Sequence, residues 1–446
     1  MLPESSYYWL PGLLVLASPL LFRLLSSRDK PSSQATQLSA KTHTVVVLGA
    51  GLAGVPLAHH LLKHSPVEAG VRAVLVSPNE DMLWPYATVR AILPDQFRND
   101  QIFFPLKPAF AKYEYKYKYN AARFEHVVGC AQHLDPAANR VVVLMSLTPG
   151  GAQQDAQQER IIDYDTLVIA TGSSYGTMPS MPCMPFKNLA DTPATKGGMD
   201  RLRREIAAAQ SIVVAGGGLT GVEVAGELGQ AYGRAGTKNI TLIIGGSLPL
   251  GPAVRADVRQ TIVDELAKLH VTVVESTRVV DVAATAAGKH VLTLQTGTTA
   301  TTMETDLYIP AFGVRPNTAF VPPAMLDADG RVAVRRDTLQ PPSHANVFAL
   351  GDAANAESAT GKHADAQVRF LAPALQAWLA GRPIPTYKPD DTFVFAATLG
   401  PYRGTGQIGD RRLWGWVIRL LIGKHMGTNY ASEIAAGSRT LTQTKW

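Results

Sequence analysis

Cysteine is nearly missing from this 446-residue chain: only Cys130 and Cys183 occur, with no Cys-x-x-Cys or Cys-x4-Cys pair. A dithiol that cycles between reduced and oxidised forms needs two sulfurs on a short loop. A disulfide reductase of the thioredoxin or glutathione type is therefore excluded, and both thiols read as buried or incidental. So low a count also fits a reducing compartment. No His, Cys, Asp or Glu spacing suits a metal, and no Gly-x-Ser-x-Gly marks a hydrolase nucleophile. Mean hydropathy near zero, +0.02, excludes a protein of many membrane spans.

What the chain has is glycine in a pattern. Gly49-Ala50-Gly51-Leu52-Ala53-Gly54 follows the apolar run 45–48, and Gly216-Gly217-Gly218-Leu219-Thr220-Gly221 follows the run 211–214. In such a motif the first glycine makes a tight strand-to-helix turn, the second lets backbone approach a pyrophosphate, and the third lets helix and strand pack closely. The anion then rests on unpaired N–H groups at the helix N-terminus. One such motif is an ordinary glycine turn often enough; two, each with a buried-strand pattern in front, argue for two dinucleotides.

Two further segments, 164–173 and 346–354, each run from an apolar strand into a small-residue turn, ending in Ala170-Thr171-Gly172 and Gly351-Asp352. Here the chain resembles the FAD-dependent pyridine-nucleotide oxidoreductases with two dinucleotide-binding domains. The resemblance narrows at 216–228, at 310–318 and at Arg403-Gly404-Thr405-Gly406-Gln407-Ile408-Gly409. Those stretches are similar to the apoptosis-inducing-factor-like, ferroptosis-suppressor-like branch, which is related to type II NADH:quinone oxidoreductases. The resemblance covers about residues 44–424. It implies a flavoenzyme that takes hydride from NADH or NADPH and gives two electrons to a quinone. It also implies that Gly49, Ala50, Gly51, Leu52, Ala53, Gly54, Arg90, Val127, Thr171, Gly172, Gly351 and Asp352 meet FAD, with Asp352 on the ribityl chain. Gly216, Gly218 and Gly221 would take NAD(P)H, and Glu223 matches an acidic residue beside the nicotinamide. Glu223 reads equally well as a helix-start carboxylate favoured by the dipole. Lys187 stands where that branch has a functional lysine, but the loop lengths do not align and it receives no role.

Two positions depart from the pattern. A dinucleotide fold usually carries an acid after its second strand to bind the adenosine ribose. After 71–76 that place holds Ser77, whose hydroxyl can still serve FAD; after 240–244 it holds Gly245-Gly246-Ser247. Neither an acid for NADH nor an obvious arginine for the NADPH phosphate stands there, so the donor is open. Arg255 and Arg259 are nearby in sequence but read more readily as solvated helix charges.

The expected architecture is α/β: two Rossmann-like domains, the second inserted in the first, with a C-terminal α+β unit and an N-terminal hydrophobic helix. The FAD domain takes residues 41–185 and 306–383, the NAD(P)H domain 186–305, and the C-terminal unit 384–446. Residues 5–22 carry no charge and include Tyr7, Tyr8 and Trp9, the length and aromatic flank of a membrane anchor. Basic residues follow that segment, which puts the catalytic body on the cytosolic side; a cleaved signal peptide is the rival reading. Residues 31–40 read as a flexible linker and 150–158 as a hairpin loop. Residues 411–424 combine basic flanks with a tryptophan-rich middle, either a helix that docks on lipid or one packed on the enzyme's own core. Residues 112–119 alternate tyrosine with charge and read as a half-buried strand or a packed edge rather than a nucleic-acid patch. The net charge of +6 suits membrane lipid and nucleotide cofactors; because the basic residues are scattered, nucleic acid is the weaker partner. A biosynthetic small molecule is the alternative to quinone as acceptor, and a non-enzymatic DNA-binding protein is a third reading.

Overall fold

A computed structural model describes residues 42–65, 70–116, 123–146, 158–176 and 181–446, without the side chains of 114–116. The expected anchor, linker and nearly all of the 150–158 loop lie outside the described residues. Among the described residues no helix is long and apolar enough to cross a membrane.

The first sheet has seven strands in the order Val347–Ala349, Thr166–Ile169, His43–Leu48, Val71–Ser77, Phe124–Asp135, Arg140–Met145, Glu159–Asp163. The first five run parallel and the last two antiparallel. Val45, Val46 and Val47 in the middle strand are all buried, because a parallel sheet is covered on both faces and rewards continuous β-branched runs. Residues 347–349 join this sheet from far along the chain, as a discontinuous first domain requires.

The inserted domain has a four-stranded parallel sheet, Val271–Val274, Asn239–Ile243, Ser211–Ala215, Leu307–Pro310, beside an antiparallel meander of Thr277–Ala284, His290–Thr296 and Thr299–Thr305. Leu307 pairs with Ile212, so the insertion runs past the expected boundary at residue 305. The chain leaves and re-enters through an antiparallel ribbon of Ser173–Tyr175 and Val314–Pro316.

The C-terminal segment divides its attachments. Its sheet of Val394–Thr398, Gly404–Ile408 and Arg411–Leu413 leans on the inserted domain through Arg403 with Glu265 (2.6 Å) and Gln407 with the Arg255 amide (2.9 Å). Beyond this sheet the chain returns to the first domain, where Trp84 donates to the Met426 carbonyl (2.8 Å) and Trp446 to that of Pro56 (2.8 Å).

One expectation fails within the described residues. Leu106–Lys116 is a helix, not the start of a half-buried strand. Leu106, Phe110 and Tyr113 are buried at helical spacing, and Phe110 stacks on His59 (3.9 Å) and Phe124 (4.2 Å). That apolar period outweighs the alternation of tyrosine with lysine.

Candidate functional site

The middle strand of each parallel sheet ends in a glycine turn at the place where neighbouring strands depart to opposite sides, the usual crevice for a dinucleotide. The turn at Gly49 requires φ +108° and that at Gly216 φ +132°, values that side chains rarely adopt. A Cβ on Gly54 would collide with the Gly49 carbonyl, and one on Gly221 with the Gly216 carbonyl, so each third glycine lets its helix seat against its strand. Gly51 and Gly218, by contrast, face open space, with nothing within 4 Å of an added Cβ. Two cradles thus have crowding at the first and third glycines and room at the second, the form a pyrophosphate needs.

At the adenosine end of the first cradle, Ser77 is buried and its hydroxyl accepts the Asn79 amide (3.1 Å). Asn79 itself is 4% exposed, and its side-chain oxygen has no hydrogen-bond partner among the described residues. An orphaned buried acceptor is costly, and a ribose hydroxyl would satisfy it. The residues present therefore fit an adenosine here. Sequence reasoning weighed Ser77 and passed over Asn79, two positions on.

The other end gathers residues from four parts of the chain. Asp352 accepts from the Ser173 hydroxyl (2.6 Å) and from Lys187 (2.9 Å). Burial alone would raise its carboxyl, but the Lys187 ammonium and the Ser173 hydroxyl hold it below the usual range, so Asp352 stays ionised. Thr171 donates to the Asn317 carbonyl (2.7 Å), and the Asn317 side chain donates back to Thr171 (3.0 Å) and accepts from Ser174 (2.7 Å). Gly172 and Gly351, both near φ +69°, turn the backbone around this cluster. Lys187 and Asn317 enter the site only through folding.

Glu223 sits on the helix Leu219–Leu228 that follows the second cradle. Its carboxyl accepts from the main chain (3.0 Å) and hydroxyl (3.1 Å) of Thr398 in the C-terminal sheet. Burial pushes it up to about 8, assisted by the neighbouring Glu227 and opposed by the Thr398 donors and Arg90. A carboxyl that changes charge near neutral pH can hold and release a proton at little cost. Nearby, Tyr175 donates to Thr220 of the second cradle (2.6 Å).

Arg90 stands elsewhere than a cofactor surface. It is 2% exposed and clamps Glu227 in a two-pronged pair (2.7 and 2.8 Å), while Nη1 holds the carbonyls of Gly423 (2.7 Å) and Lys424 (3.3 Å). With each of its three nitrogens engaged and no open face, the side chain joins three regions of the chain. The Val127 side chain likewise packs in the core, which leaves only its main chain for a ligand. Of the thiols, Cys130 is exposed, not buried, and Cys183 leans on the Tyr175 carbonyl.

On the outer side of the C-terminal segment, Gly415–Ile418 runs into the wide turn Arg419–Gly423. Trp414 and Leu421 are exposed, Trp416 is 69% exposed and Leu420 77%. Arg412 lies over Trp414 and Arg419 over Tyr402. Ile418 and Gly423 are the buried positions of this stretch, so the reading of a helix packed wholly on the core does not hold.

Comparison with known proteins agrees with this geometry. The family model described as pyridine nucleotide-disulphide oxidoreductase matches residues 43–369. Oxidoreductase ptaL of Pestalotiopsis fici is 34% identical over 84% of this chain and 94% of its own. Ferroptosis suppressor protein 1 of Homo sapiens is 26% identical over 87% and 94% respectively. Among solved structures, the sulfide:quinone oxidoreductase of Aquifex aeolicus superposes with a TM-score of 0.67 at 16% identity, covering 89% of this chain and 92% of its own.

Proposed function

The chain belongs to the pyridine nucleotide-disulphide oxidoreductase family, whose members bind FAD and NAD(P)H, and from that premise we propose that it passes two electrons from NAD(P)H through FAD to a lipid-dissolved quinone. The observation that carries this reading is the bridge from Glu223 to Thr398. It ties the helix of the second cradle to the sheet that precedes the exposed Trp416, Leu420 and Leu421. When bound, the flavin supplies the redox chemistry, accepting hydride and surrendering two electrons.

The chain's own residues bind, orient and tune. The first cradle and Asn79 hold the dinucleotide end of FAD, and Asp352 takes a ribityl hydroxyl. Lys187, fixed by Asp352, adds positive charge at a place where electron density will accumulate. The second cradle holds the NAD(P)H pyrophosphate at its helix N-terminus. Glu223, mostly protonated at neutral pH, orients the nicotinamide carboxamide by hydrogen bonding. The Trp, Leu and Arg face lies on anionic membrane, with residues 5–22 as a second anchor and the catalytic body on the cytosolic side.

The test is an anaerobic titration of the purified holoprotein in detergent. NADH or NADPH should bleach the flavin band near ~450 nm, and a short-chain ubiquinone should restore it. A flavin that bleaches but ignores quinone favours the second reading, a soluble small-molecule acceptor. Absence of bound flavin would overturn both.

A further inference from the structure

The second cradle lacks, in its own loop, both groups by which such folds read the ribose 2′ position. After Asn239–Ile243 come Ile244 and then Gly245, Gly246 and Ser247, the last three exposed. Neither arginine that follows in sequence is available. Arg255 pairs with Asp257 (2.9 Å) and caps the Asp410 carbonyl (2.9 Å), while Arg259 holds the carbonyls of Pro249 (2.8 Å) and Leu248 (3.0 Å).

A third arginine arrives from the meander. The Thr277 amide donates to the Ile244 carbonyl and the Ser276 amide to the Gly246 carbonyl, both at 2.9 Å. These main-chain bonds stitch the start of the strand Thr277–Ala284 to the glycine loop. Thr277 is buried, with its hydroxyl bound to the Glu275 carbonyl (2.8 Å) and Thr296 (2.7 Å). Arg278, the next residue along the strand, takes the opposite face and lays its side chain across Gly245: an added Cβ there would sit 3.3 Å from Arg278 Nε and 3.5 Å from Cγ. Arg278 is exposed, and no carboxylate pairs with it among the described residues.

We propose that Arg278 reads the 2′-phosphate of NADPH, with Ser247 as a second donor, and makes the enzyme select NADPH over NADH. The inference rests on the second cradle being the nicotinamide dinucleotide site. A guanidinium fork matches a phosphate with two parallel hydrogen bonds. Glycine at 245 removes the carboxylate that would repel that phosphate and engage the arginine instead. The competing acid is Glu275, exposed one residue past Val274, which pairs with Ile243.

Anaerobic calorimetry on the FAD-loaded protein with its flavin reduced beforehand by dithionite, with NADPH, NADH, 2′,5′-ADP and 5′-AMP as probes, reads the contact without hydride transfer. The expected result is tighter binding of NADPH than NADH and of 2′,5′-ADP than 5′-AMP. Arg278→Ala should weaken the two ligands that carry a 2′-phosphate by about 10- to 100-fold and leave NADH and 5′-AMP unchanged. Gly245→Asp should shift preference toward NADH, since the added side chain meets only the flexible Arg278. Equal binding of both dinucleotides in the wild type, or a wild-type preference for NADH, overturns the inference and leaves the cradle assignment standing. If none of the four probes binds, the cradle assignment itself fails. FAD content and melting temperature of Arg278→Ala should match the wild type, because the side chain is exposed.

Discussion

Glu223→Gln keeps the side chain's shape and its bonds from Thr398 while removing a proton equilibrium that burial moves from 4.5 to about 8. The folded protein holds this proton well above the pH at which the unfolded chain releases it. Stability from this group is therefore fully present below the unfolded value and is lost as pH rises through the folded one. Between about pH 6 and about pH 9 the loss amounts to about 3 kcal/mol by linkage. Glutamine carries no such dependence. Thermal unfolding followed by flavin release should then show the wild type falling more steeply with pH than the variant. At the alkaline end the variant should melt a few degrees higher. Stopped-flow bleaching by NAD(P)H should titrate near the same pH in the wild type and lie flat in the variant. Parallel stability curves together with identical rate profiles would refute both the buried-carboxyl reasoning and the assigned role.

Arg90→Leu strands the buried Glu227 carboxylate and should cost about 3–5 kcal/mol, read as a lowered denaturant midpoint and largely recovered by adding Glu227→Gln. Asp352→Asn should weaken FAD retention by about tenfold, measured as flavin per protein after gel filtration; full occupancy would remove Asp352 from the cofactor contacts. Trp416→Ser with Leu420→Ser should release a protein lacking residues 1–30 from anionic vesicles at unchanged flavin content, whereas continued co-sedimentation would place the membrane contact elsewhere.

The resemblance to flavin-dependent oxidoreductases was legible because its motifs are local. Turn, phosphate approach and helix packing all lie within six consecutive residues in each cradle, and Gly351-Asp352 follows directly on its strand. Other features depend on partners far along the chain. Arg90 is placed beside FAD by resemblance, but folding delivers Glu227 and the Gly423 carbonyl to it. Residues 112–119 alternate like a strand, yet the apolar positions upstream, Leu106 and Phe110, set a helical period that includes Tyr113. The boundary at 305 missed Leu307–Pro310 because a four-residue parallel strand has no signal apart from the sheet it completes.

Alone, the amino-acid sequence determined that there are two strand-to-helix glycine turns of one form and that no two cysteines lie close together along the chain. Those are matters of spacing along the backbone, which short-range sterics translate directly into conformation. The partners of the chemical groups were decided only by tertiary structure. Lys187 meets Asp352 across 165 residues and Thr398 meets Glu223 across 175, while Arg278 reaches Gly245 from a different strand. Side-chain hydrogen bonds and burial depend on distance in space, and separation along a folded chain says almost nothing about that.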